Sequence, residues 1–238
     1  MKGRIFRAVV GALILVMAFA PLTAQAAEGK YLAMTFDDGP SGRFTRRLLE
    51  ELEGRQSRVT FFLCGYRLEQ YPDMAGRMLE AGHEIGLHGY SHACMENMSP
   101  EKLEWELSKT ESLLREQTGT TSYLLRPPGG QTNQAVIHAA ESHGFSLITW
   151  SVDPKDWATS NREKVVRSVV DHARDGDVIL LHDMSDSSVD AALEIIDRLE
   201  AAGYQFVTVS ELARLRGKTM EAGCLYTNFR PAFEVDAN

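Results

Sequence analysis

Two adjacent carboxylates, Asp37 and Asp38 in TFDDGP (residues 35–40), follow directly on the apolar run Tyr31, Leu32, Ala33, Met34. One Asp would serve a turn, because its side chain can bond the backbone two residues on and Gly39-Pro40 would complete it. The second acid is surplus to that need. Further on, His88 and His92 in HGYSH stand four residues apart, which brings two imidazoles together on a helical turn or a tight loop. Alone, such a pair is more often a surface or capping feature. Joined by one carboxylate from another strand end, it becomes the two-His, one-acid set of a catalytic zinc site or of the facial triad of non-haem iron. One acid of TFDDGP can then be a ligand, and the other the base that takes a proton from water polarised by the ion.

Elements that could bring these residues together alternate along the chain. Short apolar or β-branched runs are predicted as strands at 31–36, 58–63, 84–88, 122–126, 145–150, 177–181 and 204–209, with amphipathic segments between them. That alternation predicts parallel β/α units, and seven of them make a barrel. The clearest helix has Ser99 as N-cap and Pro100 at its first position, carries Leu103, Leu107, Thr110 and Leu114, and stops at Gly119. Asn161 is placed to cap another, bearing Val165, Val166, Val169 and Val170, and Gly54, Gly82, Gly144, Gly176 and Gly203 fall where helices end. In a β/α barrel the reactive groups sit beyond the C-terminal ends of the strands. Asp37, Asp38, His88, Arg126, Asp153, Asp156, His182 and Asp183 all fall at such ends, so five strand ends converge on one cleft.

Composition bounds what the cleft can act on. The 238 residues are 44% apolar and 24% charged, ordinary values for one well-buried domain. Lys2, Arg4 and Arg7 precede the thirteen-residue run AVVGALILVMAFA and then Ala24-Gln25-Ala26, the layout of a secretory signal peptide cleaved after Ala26. The run is shorter than the roughly 18 to 20 apolar residues of a membrane span, so no stable membrane anchor is expected. Residues 27–217 are expected to form the catalytic domain and 218–238 a C-terminal tail without an assigned structure. Without the leader the chain keeps 22 basic and 33 acidic residues, so nucleic acid is excluded as a partner. Cys64, Cys94 and Cys224 are odd in number, and buried free thiols are expected rather than a disulfide framework.

TFDDGP, HGYSH, RPPGG, DPKDW and LLHD, in this order and spacing, resemble the five motifs of the polysaccharide deacetylases, the fourth family of carbohydrate esterases, also called the NodB-homology domain. The resemblance covers nearly the whole chain after the leader. It implies an α/β fold, a distorted (β/α) barrel, and metal-dependent removal of acetyl groups from sugars. By the same resemblance Asp38, His88 and His92 are the metal ligands, Asp37 the general base and His182 the general acid. Arg126 would hold Asp37, and Asp156 would favour the protonated form of His182. The Gly129 backbone N–H would stabilise the oxyanion, with Trp157 and Leu180 lining an apolar pocket for the acetyl methyl. The cofactor implied is one divalent ion, zinc first, with cobalt or nickel as alternatives. An Arg following a barrel strand is expected to reach the cleft rather than the core, so Arg126 should matter to turnover more than to stability. Asp153 can equally be a turn starter, since Asp-Pro commonly opens one.

RPPGG departs from many relatives, which carry an aromatic residue where Gly129 stands; the backbone donor survives this, while the groove loses a side chain. Acetylated polysaccharide or oligosaccharide is the expected partner, in the order peptidoglycan or chitin-like N-acetylglucosamine, then O-acetylated xylan. A non-catalytic carbohydrate-binding protein on the same scaffold would lack a base or a ligand, and none is missing. Export favours an extracellular or wall-associated glycan. Nothing in the sequence speaks to the oligomeric state.

Overall fold

In the computed structural model, which describes residues 29–231, strands and helices alternate in the order β1 (Lys30–Gly39), α1 (Arg43–Leu52), β2 (Thr60–Leu63), α2 (Gly65–Gln70), α3 (Met74–Glu80), β3 (Glu84–Leu87), α4 (Pro100–Thr118), β4 (Leu124–Leu125), α5 (Gln134–Ser142), β5 (Ser146–Ile148), α6 (Arg162–Val170), β6 (Val178–His182), α7 (Asp186–Ala201), β7 (Tyr204–Phe206), α8 (Val209–Leu215) and β8 (Leu225–Tyr226). The sheet runs β6-β1-β2-β3-β4-β5-β8, and every strand pair in it is parallel. β7 pairs with the first residues of β1, while Arg58 donates its N–H to Phe206 O and so docks the approach to β2 against β7. Between β5 and β6 the ring is joined by the isolated bridge Val152–Ile179. The result is the distorted (β/α) barrel expected, while the expected leader and its cleavage after Ala26 fall outside the described residues.

Side-chain alternation along the strands sorts the core into two faces. Leu32, Met34, Phe36, Phe61, Leu63, Leu87, Leu125, Leu147, Ile179 and Leu181 face the helices, in one cluster with Leu48, Leu107, Val166 and Ile195. Tyr31, Ala33, Phe62, Leu124, Ile148 and Val178 form the inner cluster, shared with Val209, Leu212 and Ala213 of α8 and with Phe229. Each fully buried Leu or Phe contributes on the order of 2 kcal/mol of transfer free energy. Continuing the inner parity toward the C-terminal strand ends leads to Asp37, Arg126 and His182, so the same alternation that builds the core delivers the polar groups to the cleft.

The helix limits follow their caps. Ser99 accepts from Lys102 N at the start of α4, Pro100 takes the first position, and Gly119 ends the helix in the left-handed region at φ 72°. Asn161 caps α6 through Lys164 N. Part of the segment after 217 is built onto the barrel, β8 pairing with β5 and Arg230 Nε donating to buried Asp177 at 2.6 Å. The three cysteines are free, but only Cys64 is buried; Cys94 is half-buried and Cys224 exposed, so the expectation of buried thiols holds for one of them. No helix among the described residues is long and apolar enough to cross a membrane.

Candidate metal centre and catalytic cleft

Adjacent residues of a regular strand point to opposite faces, which would send Asp37 into the barrel and Asp38 away from it. The strand does not stay regular. The pairing of β1 with β2 slips by one residue between Phe36 and Gly39, a β-bulge, and Asp38 takes φ 70°. The bulge turns Asp38 back, so that both carboxylates serve one site. Gly39 follows with little room for a side chain, since a Cβ there would stand 3.0 Å from Asp183 Oδ1.

His88 follows β3 and continues its ladder, its N–H donating to Leu63 O. Its ring is buried, with Nδ1 2.6 Å from Arg126 O. A carbonyl only accepts, so Nδ1 carries the proton and a neutral ring presents a lone pair at Nε2. That atom lies 3.3 Å from Asp38 Oδ1, while His92 Nε2 lies 2.9 Å from the same oxygen. Asp38 Oδ1 is buried and satisfied by no hydrogen bond. The three ligand atoms fall within 4.8 Å of one another. Acceptor facing acceptor is unfavourable unless a cation lies among them, so these residues fit a divalent ion; two imidazoles and a carboxylate suit zinc or cobalt. Burial works to raise the Asp38 pKa, but when the His88 and His92 rings carry a proton at Nε2 their hydrogen bonds and charge outweigh it and hold the carboxyl below its ordinary range. The partnership with Asp38 raises the His92 pKa, against the effect of burial.

Asp37 Oδ2 lies 3.7 Å from His88 Nε2, and Oδ1 accepts from Arg126 Nη1 at 2.6 Å. Arg126 reaches Asp37 as expected, but it does so from the core rather than sparing it. It is fully buried, with its guanidinium carbon 4.0 Å from the Phe62 ring centre. Its other bonds go to Thr35 Oγ1 (2.7 Å), Ile148 O (3.1 Å) and Thr149 O (2.9 Å). A planar fork of donors can satisfy several acceptors at once, and here it ties β1 to β5 as well as holding Asp37.

Across the cleft, Asp156 is buried and takes two bonds from one residue: the His182 N–H at Oδ2 (2.8 Å) and His182 Nδ1 at Oδ1 (2.9 Å). The ring is thereby fixed with Nδ1 protonated and Nε2 free toward the cleft. Burial alone would lower the His182 pKa; the hydrogen bond and charge of Asp156, with the charges of Asp37 and Asp38, raise it overall. Leu180 is buried two residues earlier on β6, Trp157 stands 66% exposed, and Gly129 occupies an exposed left-handed turn at φ 70°. Asp153 takes the turn role, accepting from Lys155 N at 2.8 Å.

Two residues that bear on the cleft have no role in the sequence reading: Asp183, placed only at its strand end, and Glu106, not singled out at all. Asp183 is fully buried and accepts from Thr45 Oγ1, while its carbonyl accepts from Ser41 Oγ, which ties the loop after β1 to the exit of β6. Its pKa is raised to about 7, chiefly by burial. Glu106, mid-way along α4, is buried beside the HGYSH loop and accepts from the Tyr90 and Ser91 N–H groups. The signal for Glu106 lay in the sequence: it sits in the 103, 107, 110, 114 stripe, where a charge has no place unless it meets a partner.

Residues 24–148 match the family model described as polysaccharide deacetylase. Over 192 residues the chain is 39% identical to a peptidoglycan-N-acetylglucosamine deacetylase of Bacillus cereus, covering 79% of this chain and 90% of that one. It is 36% identical to the peptidoglycan-N-acetylmuramic acid deacetylase PdaC of Bacillus subtilis, where the match spans only 39% of the longer relative. Among solved structures, a family 4 acetyl xylan esterase from Clostridium thermocellum, in complex with a cobalt ion, superposes with a TM-score of 0.78 at 32% identity, over 84% of this chain and 98% of that one. A parallel β/α barrel with these relatives sets aside the iron-oxygenase reading of the His pair. The chain belongs to the polysaccharide deacetylase family, hydrolases that remove acetyl groups from sugars.

Proposed function

We propose that this protein hydrolyses the N-acetyl group of N-acetylglucosamine-type residues in an exported glycan, peptidoglycan or a chitin-like oligomer, with one divalent ion held by Asp38, His88 and His92. The observation that carries the reading is the convergence of three ligand atoms between a buried, Arg-held carboxylate on one side and an imidazole–carboxylate pair on the other. When bound, the ion supplies Lewis acidity, which lowers the pKa of water and polarises an acetyl carbonyl. Asp37, anchored through Oδ1 to Arg126, has Oδ2 free to take the proton from the attacking water. The Gly129 N–H donates to the oxyanion as it develops. His182 delivers a proton from Nε2 to the departing nitrogen, and Asp156 keeps the ring in that orientation and stabilises its charged form. Leu180 and Trp157 contribute apolar surface for the acetyl methyl.

The relatives' peptidoglycan substrates support an amide substrate in a cell wall. The likeness to an acetyl xylan esterase favours O-acetyl sugars as the second reading, because the same base and ligand set would serve an ester. Export is proposed from the basic start, the short apolar run and Ala24-Gln25-Ala26, which leaves a catalytic domain that starts at residue 27 and runs past 217 to include β8 and Phe229. Acetate release from peptidoglycan fragments, chitin oligomers and acetylated xylan, with metal-loaded and chelated protein, tests both readings. Release from xylan alone would install the esterase reading, and release from none would reject both.

A further inference from the structure

The two imidazoles of HGYSH can meet one ion only if residues 89–91 hold a single shape. Two of those residues are flanked by backbone in the left-handed region, Gly89 at φ 73° before them and His92 at φ 60° after. Left-handed backbone at a non-glycine residue persists only where surrounding bonds over-determine it. Those bonds come from both sides. Gly89 O and Tyr90 O accept from the N–H groups of Gly65 and Tyr66 at the start of α2. On the other side, the Tyr90 and Ser91 N–H groups both donate to Glu106 Oε2, at 2.7 and 2.8 Å. Ser91 Oγ donates to Glu106 Oε1 at 2.6 Å, and Lys102 Nζ stands 3.1 Å from that oxygen. The carboxylate is 0% exposed and each oxygen has two partners.

We infer that Glu106 is a positioning residue for the metal centre: its buried carboxylate fixes the backbone between His88 and His92 and so presets the geometry in which both Nε2 atoms face Asp38. The inference rests on the metal reading above. Charge-assisted bonds to consecutive backbone N–H groups are about twice as strong as neutral ones, and losing an outer partner of metal ligands typically costs 10- to 100-fold in affinity. A carboxylate serving helix packing alone would need no acceptor geometry matched to two successive loop amides. Gly89 completes the fit, since a Cβ there would stand 2.6 Å from Met95 Cε and 3.4 Å from Glu106 Oε2.

Calorimetric titration of zinc into the metal-stripped full chain provides the test, with circular dichroism confirming the fold of each variant. Glu106→Gln keeps the shape but halves the acceptor capacity and removes the charge; it is expected to weaken zinc binding about tenfold. Glu106→Ala is expected to weaken it about a hundredfold, and if that variant does not fold, the Gln variant decides alone. A folded Gln variant with wild-type zinc affinity would overturn the inference while leaving the metal reading intact. Failure of the wild-type protein itself to bind zinc would overturn both.

Discussion

Asp37 and His182 are register partners on the neighbouring parallel strands β1 and β6. Partners in a parallel pair direct their side chains to the same face, and the strands lie about 4.8 Å apart. The separation of the proposed base from the proposed acid is therefore set by one rung of the sheet rather than by a loop. Asp38 escapes that face rule only through the bulge, which adds a residue to β1 where the ion is to be held.

His182 and Asp37 should separate by leaving group. A sugar nitrogen cannot leave without a proton, whereas the phenolate of an aryl acetate can. His182→Ala is expected to lower kcat/KM about 10²- to 10⁴-fold for an N-acetyl sugar and far less for the aryl ester, while Asp37→Asn lowers both. Steady-state kinetics on the two substrates, with metal content checked, makes the comparison. Equal losses for His182→Ala would remove it from the acid role.

Arg126→Ala should lose stability as well as turnover. It leaves buried Asp37 unpaired and strips Thr35, Ile148 and Thr149 of a donor. Breaking a buried pair in this way costs about 3–5 kcal/mol, on the order of 10 °C in melting temperature for a chain of this size. Arg126→Lys restores charge but not the fork and should fall between. An unchanged melting temperature for the Ala variant would refute the anchoring role.

The alkaline limb of amide hydrolysis should report His182. Its pKa is raised because Asp156, Asp37 and Asp38 outweigh burial, so the protonated acid persists above the ordinary value near 6.5 and activity falls as pH rises through the raised one. Asp156→Asn removes the main cause, and the limb should move to lower pH. A pH profile of kcat/KM with an unmoved limb would contradict this.

Asp183 should make the metal-stripped fold less stable as pH rises. Its pKa is about 7 folded against an ordinary 3.8; between these values the folded state holds a proton that the unfolded chain has lost, so stability falls with rising pH and levels off above 7. Asp183→Asn cannot ionise, and relative to wild type it should gain on the order of a few kcal/mol between pH 4 and 8. Parallel denaturation curves for the two proteins across that range would argue against it.

Much of this was legible in the residues because it lived in local chemistry. Ser99, Pro100 and Gly119 announce both ends of α4, and the strand-end positions of Asp37, His88, Arg126 and His182 follow from apolar runs that stop there. The bulge at Asp38 was not legible, since a one-residue slip leaves no mark in composition. Arg126 read as a cleft residue because sequence does not reveal that Phe62 and three acceptors wait for it inside the barrel. β8 is two residues long, too short for any period, and it owes its existence to the exposed edge of β5. Glu106 stands in the apolar stripe of α4, which marks it as a charge in need of a partner, but only the fold shows which loop lies against it.

The most direct test of the account is acetate release from N-acetylglucosamine residues of peptidoglycan fragments, measured for chelated protein, for the same protein with zinc restored, and for zinc-restored Asp37→Asn. The account predicts no release after chelation, recovery with zinc or cobalt, and a loss of 10²-fold or more in the Asp37 variant despite bound metal. Full release by protein shown to be metal-free would contradict it.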